Sequence, residues 1–126
     1  LILNERKLTD LILIGGNYRS ITGAFVGTLT LQNLANLQFS KAFVSCNGIQ
    51  DNAIATFSEE EGESQRIALN NSNKKYLLAD NSKFNKFDFY TFYNISDIDT
   101  IVSDSKLSKE TFEQLSKQTK IILSKP

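Results

Sequence analysis

Tyr76-Leu77-Leu78-Ala79 runs directly into Asp80-Asn81-Ser82-Lys83. Four apolar residues stand together, and four polar ones follow at once. A short unbroken apolar run ending in a polar loop is the pattern of a buried strand, covered on both faces, whose carboxyl end opens into a loop. Leu11-Ile12-Leu13-Ile14, Ala42-Phe43-Val44, Ile101-Val102 and Ile121-Ile122-Leu123 repeat the pattern. None of these runs alternates with polar residues, so parallel strands are expected rather than a half-wet antiparallel sheet.

Helical stretches lie between the runs. Residues 29 to 37 carry Leu31, Leu34, Ala35 and Leu37 at a spacing that lines one face. Residues 59 to 72 follow Ser58, with Glu61 three positions on as in a capping box, and Ile67 and Ala68 are the clearest apolar members. Residues 109 to 118 follow the cap Ser108, with Glu110 at the positive helix start, Leu107 placed to staple onto Phe112, and Phe112 and Leu115 facing the core. The alternation predicts an α/β fold: an open, mostly parallel sheet with flanking helices. Ligands of such sheets bind outside the carboxyl ends of the strands. Here those ends run into Gly15-Gly16, Ser45-Cys46-Asn47-Gly48, Asp80-Asn81-Ser82-Lys83 and Ser103-Asp104.

A chain of 126 residues supplies one domain's core. Fourteen basic residues balance fourteen acidic ones, which argues against this segment gripping nucleic acid by bulk charge. No stretch has the ~20 apolar residues of a membrane helix. The single cysteine, Cys46, has no partner for an internal disulfide, which fits a reducing compartment such as the cytoplasm. Without histidine, zinc chemistry and histidine-activated cysteine catalysis are set aside, and no cofactor is expected. The chain opens on Leu1-Ile2-Leu3 without methionine, so a fragment of a longer protein is expected.

The candidate site residues each have a plainer alternative. Gly15 and Gly16 let backbone approach a ligand, or simply turn the chain. Arg19 and Lys41 are cations near strand boundaries, or solvated surface charges. Lys83, after Asp80 and Ser82, can meet a phosphate as a point charge with Asp80 orienting it. Glu60 and Glu63, with Glu59 and Glu61, suit a helix start, and one of them facing a cleft could accept sugar hydroxyls. The segment from residue 84 to 99 holds Phe84, Phe87, Phe89, Tyr90, Phe92 and Tyr93, six of the thirteen aromatics. That density fits a loop and short edge strand packing on the sheet, or an oligomer interface.

Six strings in register carry a resemblance: Leu13-Ile14-Gly15-Gly16-Asn17-Tyr18-Arg19, Gly23-Ala24-Phe25-Val26-Gly27, Phe39-Ser40-Lys41-Ala42-Phe43, Asn47-Gly48-Ile49, Leu78-Ala79-Asp80-Asn81-Ser82-Lys83-Phe84 and Ile98-Asp99-Thr100-Ile101-Val102-Ser103-Asp104. From about Leu8 to Leu123 the chain resembles the effector-binding domain of DeoR-type bacterial transcription regulators. Ile21 to Gly27, with Phe39-Ser40-Lys41, looks closest to the lactose phosphotransferase repressor branch.

The resemblance implies the fold shared by ribose-5-phosphate isomerase, glucosamine-6-phosphate deaminase and the CoA transferases, incomplete here at the N-terminus. It implies a phosphorylated sugar or similar metabolite as effector, tagatose 6-phosphate or a close hexose phosphate in that branch, and a homo-oligomer. It also implies a winged helix-turn-helix for operator DNA and a phosphate-cradling loop, both expected upstream of Leu1. Gly15, Gly16 and Arg19 match the family's Gly-Gly-x-x-Arg turn. Lys41 matches its Asp-Lys-Ala-Phe string, with Ser40 in place of the aspartate. Asp80, Ser82 and Lys83 match its Ala-Asp-x-Ser-Lys string, whose lysine contacts substrate in the isomerases. Asn47 and Gly48 fall at the second ligand loop, where isomerases carry an aspartate. Gln65 falls where their catalytic glutamate stands, and an amide cannot take a proton as a carboxylate does.

The expected function is therefore a sugar-phosphate-sensing regulatory domain without catalysis. An isomerase or deaminase of the same fold is the alternative, and a bare dimerisation module with a vestigial pocket is a third possibility.

Overall fold

The computed structural model describes residues 17–19, 24–26 and 28–124. Strand β1 (Asn17–Arg19) pairs antiparallel with β2 (Ala24–Val26) as a small ribbon. Then come helix α1 (Thr28–Ala35), β3 (Phe39–Ser45), β4 (Gly48–Gln50), β5 (Ala53–Thr56), α2 (Glu59–Asn70), β6 (Ser72–Leu78), β7 (Tyr90–Asn94), β8 (Thr100–Asp104), α3 (Lys109–Ser116) and β9 (Lys120–Ser124). The runs at 42–44, 76–79, 101–102 and 121–123 form or end the four strands of one parallel sheet, in the order β3-β6-β8-β9. The run Leu11–Ile14 lies outside the described residues.

The helices form where their caps stand. The Ser58 hydroxyl accepts from the Glu61 amide at 3.2 Å and starts α2. The Ser108 hydroxyl accepts from the Thr111 amide at 3.2 Å and starts α3. Helix α1 ends at Ala35 and α2 at Asn70, each two residues before the bound expected from sequence. The Asn71 side chain donates to the Leu34 carbonyl at 3.1 Å, and Ser72 already opens β6. Within α2 the buried positions are Gly62 and Leu69, while Ile67 and Ala68 are half-buried. Gly62 is required because a Cβ there would stand 2.5 Å from Cδ2 of Tyr90.

Two features depart from the sequence reading. A hairpin, β4–β5, interrupts the first crossover, turning through Asp51 in the left-handed region at φ 53°. It joins β7 in a three-stranded antiparallel sheet, order β4-β5-β7, with an irregularity at Ile54/Ala55 opposite Phe92. The aromatic segment thus does supply a loop and an edge strand, but of this second sheet. Phe84 and Phe92 are buried, whereas Phe87 and Phe89 are 82% and 81% exposed.

The second departure concerns the faces of the parallel sheet. The expectation that both are covered does not hold among the described residues. Ala42, Val44, Leu77, Ile101 and Leu115 belong to one buried cluster with Leu69, Ile54 and Phe92. On the opposite face Phe43 is 59% exposed and stacks on Tyr76 with ring centroids 4.7 Å apart, and Leu78 and Ile122 are also exposed. The strand order explains this. The described strands advance in one direction only, so crossovers of one hand all fall on the same side.

Candidate functional site

The carboxyl ends of the parallel strands lie level. Ser45 is in register with Leu78, Leu78 with Val102, and Val102 with Ile122. The chain therefore leaves β3, β6, β8 and β9 along one rim. A cleft of about 400 Å³ opens there, lined by Leu78, Ala79, Asp80, Val102, Ser103, Asp104 and Ser124.

After β6 the chain folds into a short 3₁₀ turn, Asn81–Lys83, capped by Asp80. The Asp80 carboxylate accepts from the Ser82 amide at 2.8 Å and from the Ser82 hydroxyl. These bonds to Ser82, side chain first, hold the Asp80 carboxyl below its ordinary range, and the Lys83 cation adds to the effect. The Lys83 amide donates to the Asp80 carbonyl at 3.1 Å, which closes the turn. Phe84, buried, then anchors the far end and bridges to Ile49.

Cys46 follows β3 on the same rim. Burial pushes its thiol up to about 12, against an opposing pull from the Lys83 cation. Asn47 is exposed, and its side-chain oxygen accepts from the Thr56 hydroxyl at 2.9 Å. Gly48 is fixed by a close approach, since a Cβ there would meet the Lys86 carbonyl oxygen at 2.6 Å. Asp80, Ser82 and Lys83 thus share one turn after β6, Asn47 and Gly48 follow the end of β3, and of these five Asp80 lines the cleft.

Other candidates stand elsewhere. Lys41 lies inside β3, in register with Lys74 and four residues before the strand's end, about 13 Å along it, so it does not join the rim. The Glu63 carboxylate accepts from the Tyr90 hydroxyl at 2.6 Å and pairs with Arg66 at 3.3 Å, which commits it to β7. That bond to Glu63 is the main reason the Tyr90 hydroxyl is held above its ordinary range. Glu60 is exposed on the first turn of α2. Arg19 ends β1 in register with Ala24, and Gly15 and Gly16 lie outside the described residues.

The structure adds residues that were quoted at a strand end in the sequence but given no role. Asp104 lines the cleft and accepts from Asn81, whose hydrogen bonds hold its carboxyl below the ordinary range. Among the described residues no cluster of His, Cys, Asp and Glu could hold a metal ion, and no helix is long and apolar enough to cross a membrane. The rim offers one cation, Lys83, two carboxylates, Asp80 and Asp104, and several hydroxyl, amide and backbone groups. That is chemistry for binding a small polar ligand.

Residues 1–105 match the family of DeoR C terminal sensor domains. The chain is 48% identical over 122 residues to a lactose phosphotransferase system repressor of Lactococcus lactis subsp. lactis, covering 97% of this chain and 48% of the relative. It is 41% identical over 110 residues to the repressor of that name from Streptococcus mutans serotype c, covering 87% and 43%. For the Staphylococcus epidermidis repressor of that name the figures are 45% over 93 residues, covering 74% and 37%. The chain spans about half the length, or less, of these curated relatives.

Proposed function

The chain belongs to the DeoR C-terminal sensor domain family, and from that premise we propose that it is the sugar-phosphate-sensing part of a bacterial transcriptional repressor of carbohydrate metabolism. The observation that carries the proposal is the Asp80-capped turn Asn81–Lys83 at the end of β6, which sets Ser82 and Lys83 next to Asp80 where that residue lines the cleft. Lys83 answers the phosphate as a point charge, and Asp80, Ser82 and Asn47 answer hydroxyls. The effector is a hexose phosphate, with tagatose 6-phosphate the first to try, as the resemblance to the lactose phosphotransferase repressor branch suggests; relatives at 41% to 48% identity bear that branch's name.

Operator DNA is bound by a winged helix-turn-helix outside this segment, in keeping with its zero net charge. The protein works in the cytoplasm as a homo-oligomer. The exposed aromatics Phe87 and Phe89, on a loop tied down through Gly48, favour self-association. Effector binding shifts the DNA-competent population by its differential affinity for the two states. A regulator is favoured over an enzyme because Gln65 presents an amide at the position the resemblance gives to the isomerase carboxylate.

Thermal unfolding with tagatose 6-phosphate and with free tagatose tests this. At 100 times its dissociation constant the phosphosugar adds about 2.7 kcal/mol, and the free sugar adds much less. Lys83→Ala abolishes the phosphosugar shift while leaving the melting temperature of the unliganded protein within a few degrees. Equal shifts by both sugars, or a full shift in the variant, defeat the assignment.

A further inference from the structure

Resting on that proposed function, we infer that Asp104 is a positioning residue of the site: it latches the Asn81–Lys83 turn to the end of β8 and so sets the placement of the turn that carries Lys83, beside the cleft that Asp80 lines. Sequence strings and resemblance give Asp104 no role, and the geometry does.

The Asp104 carboxylate accepts from the Asn81 amide at 2.9 Å and from the Asn81 side-chain amide at 3.1 Å on each oxygen. It accepts a further bond from the Lys106 amide at 2.9 Å. A carboxylate offers about four lone-pair sites. Those of Asp104 are engaged by the chain itself, on two segments that leave adjacent strands. A group so engaged organises a site rather than contacting its ligand, and a bare carboxylate would in any case repel a phosphate.

The turn hangs between two supports. The Ala79 amide still bonds to the Val102 carbonyl at 3.0 Å, within reach of the parallel ladder. One residue past Asp80, Asn81 meets Asp104. At the far end Phe84 is buried against Ile49. Between them, Ser82 and Lys83 are bonded back onto Asp80. The internal bonds fix the shape of the turn, and Asp104 fixes its placement relative to β8. Removing the Asp104 carboxylate therefore leaves Lys83 chemically intact but loosely aimed.

The experiment compares Asp104→Ala and Asp104→Asn with the wild type in the whole protein. Amide hydrogen exchange without ligand is read at Asn81, Ser82 and Lys83, with Leu77 and Ile101 as internal controls. Asp104→Ala speeds exchange at the turn by about tenfold or more and leaves the two core strands unchanged. It weakens tagatose 6-phosphate by about tenfold, and tagatose by much less. In a Lys83→Ala background, titrated far enough above the wild-type range to read the residual affinity, the same change costs clearly less than tenfold, because the latch acts chiefly through Lys83. Asp104→Asn keeps one acceptor oxygen and recovers part of both effects.

Unchanged exchange at the turn in both variants overturns the inference, whatever the protein binds. Additive losses in the double variant overturn it too, since they assign Asp104 a direct contact. Faster exchange in a protein that binds no tagatose 6-phosphate supports the latch and removes the phosphosugar assignment alone.

Discussion

Cys46 shows how one side chain reports on the whole rim. It is buried at the end of β3, and burial outweighs the nearby Lys83 cation, so its thiol is raised from 9.0 to about 12. Thiolate is the reactive form, and a thiol held so high is inert at neutral pH. Alkylation at pH 8 is therefore expected to be far slower in the folded protein than in denaturant. Labelling at the rate of a free thiol would show that the rim is open at β3. The linkage has a definite sign. Below about pH 9 neither state ionises, so Cys46 adds no pH dependence. Between about 9 and 12 the unfolded thiol ionises and the folded one does not, so stability falls as pH rises through that window. Cys46→Ala removes this part of the fall. Among the site residues, those written as a contiguous string were the legible ones. Asp80, Ser82 and Lys83 share one turn, and an aspartate two residues before a serine caps itself locally. Asp104 was less legible, because its partner Asn81 lies 23 positions away. The hydrogen bond of Glu63 was hidden for the same reason: its partner Tyr90 lies 27 positions away.

At the scale of elements, caps carried most of what the sequence could say. Ser58 and Ser108 both accept from the amide three residues on, as their spacing from Glu61 and Thr111 requires. Helix α3 is short, at eight residues, and leans on this cap more than a long helix would. Ser108→Ala is expected to cost about 1 kcal/mol in chemical denaturation. Ser108→Asp, which keeps an acceptor at the positive helix end, is expected to cost almost nothing. Equal losses for the two variants would locate the effect outside the cap, for example in the Ser108–Thr111 hydroxyl contact of 2.9 Å. The β4–β5 hairpin escaped the sequence reading for a physical reason. Its turn uses Asp51-Asn52 rather than a glycine-containing pair, and only the left-handed backbone at Asp51 betrays it. The turn is held from a distance, by the Ile95 amide on the Asn52 carbonyl at 2.9 Å and the Ser96 amide on the Asn52 side chain at 3.0 Å.

At the scale of the molecule, the parallel sheet has one loaded face and one open one. Composition could not announce this, because Leu77 and Leu78 are the same residue type and adjacent in the run that decides the fold. Alternation along β6 separates them. Leu77 is fully buried among Val44, Ile101 and Leu69, and Leu78 is 43% exposed on the Phe43 and Ile122 side. Truncating the two is thus an internal comparison at fixed chemistry and fixed strand. Leu77→Ala removes a packed core side chain and is expected to cost about 2–5 kcal/mol in denaturant unfolding. Leu78→Ala removes side chain that is already partly hydrated and is expected to cost less than about 1 kcal/mol. Leu78 also lines the cleft, so its truncation is expected to act on effector affinity more than on stability, the reverse of Leu77. Parallel sheets are normally covered on both sides, which makes the second value the informative one. A cost for Leu78→Ala equal to that for Leu77→Ala means that the open face is packed in the protein under study. A small cost at every protein concentration means that the sheet stands on the core beneath α2 and α3 alone.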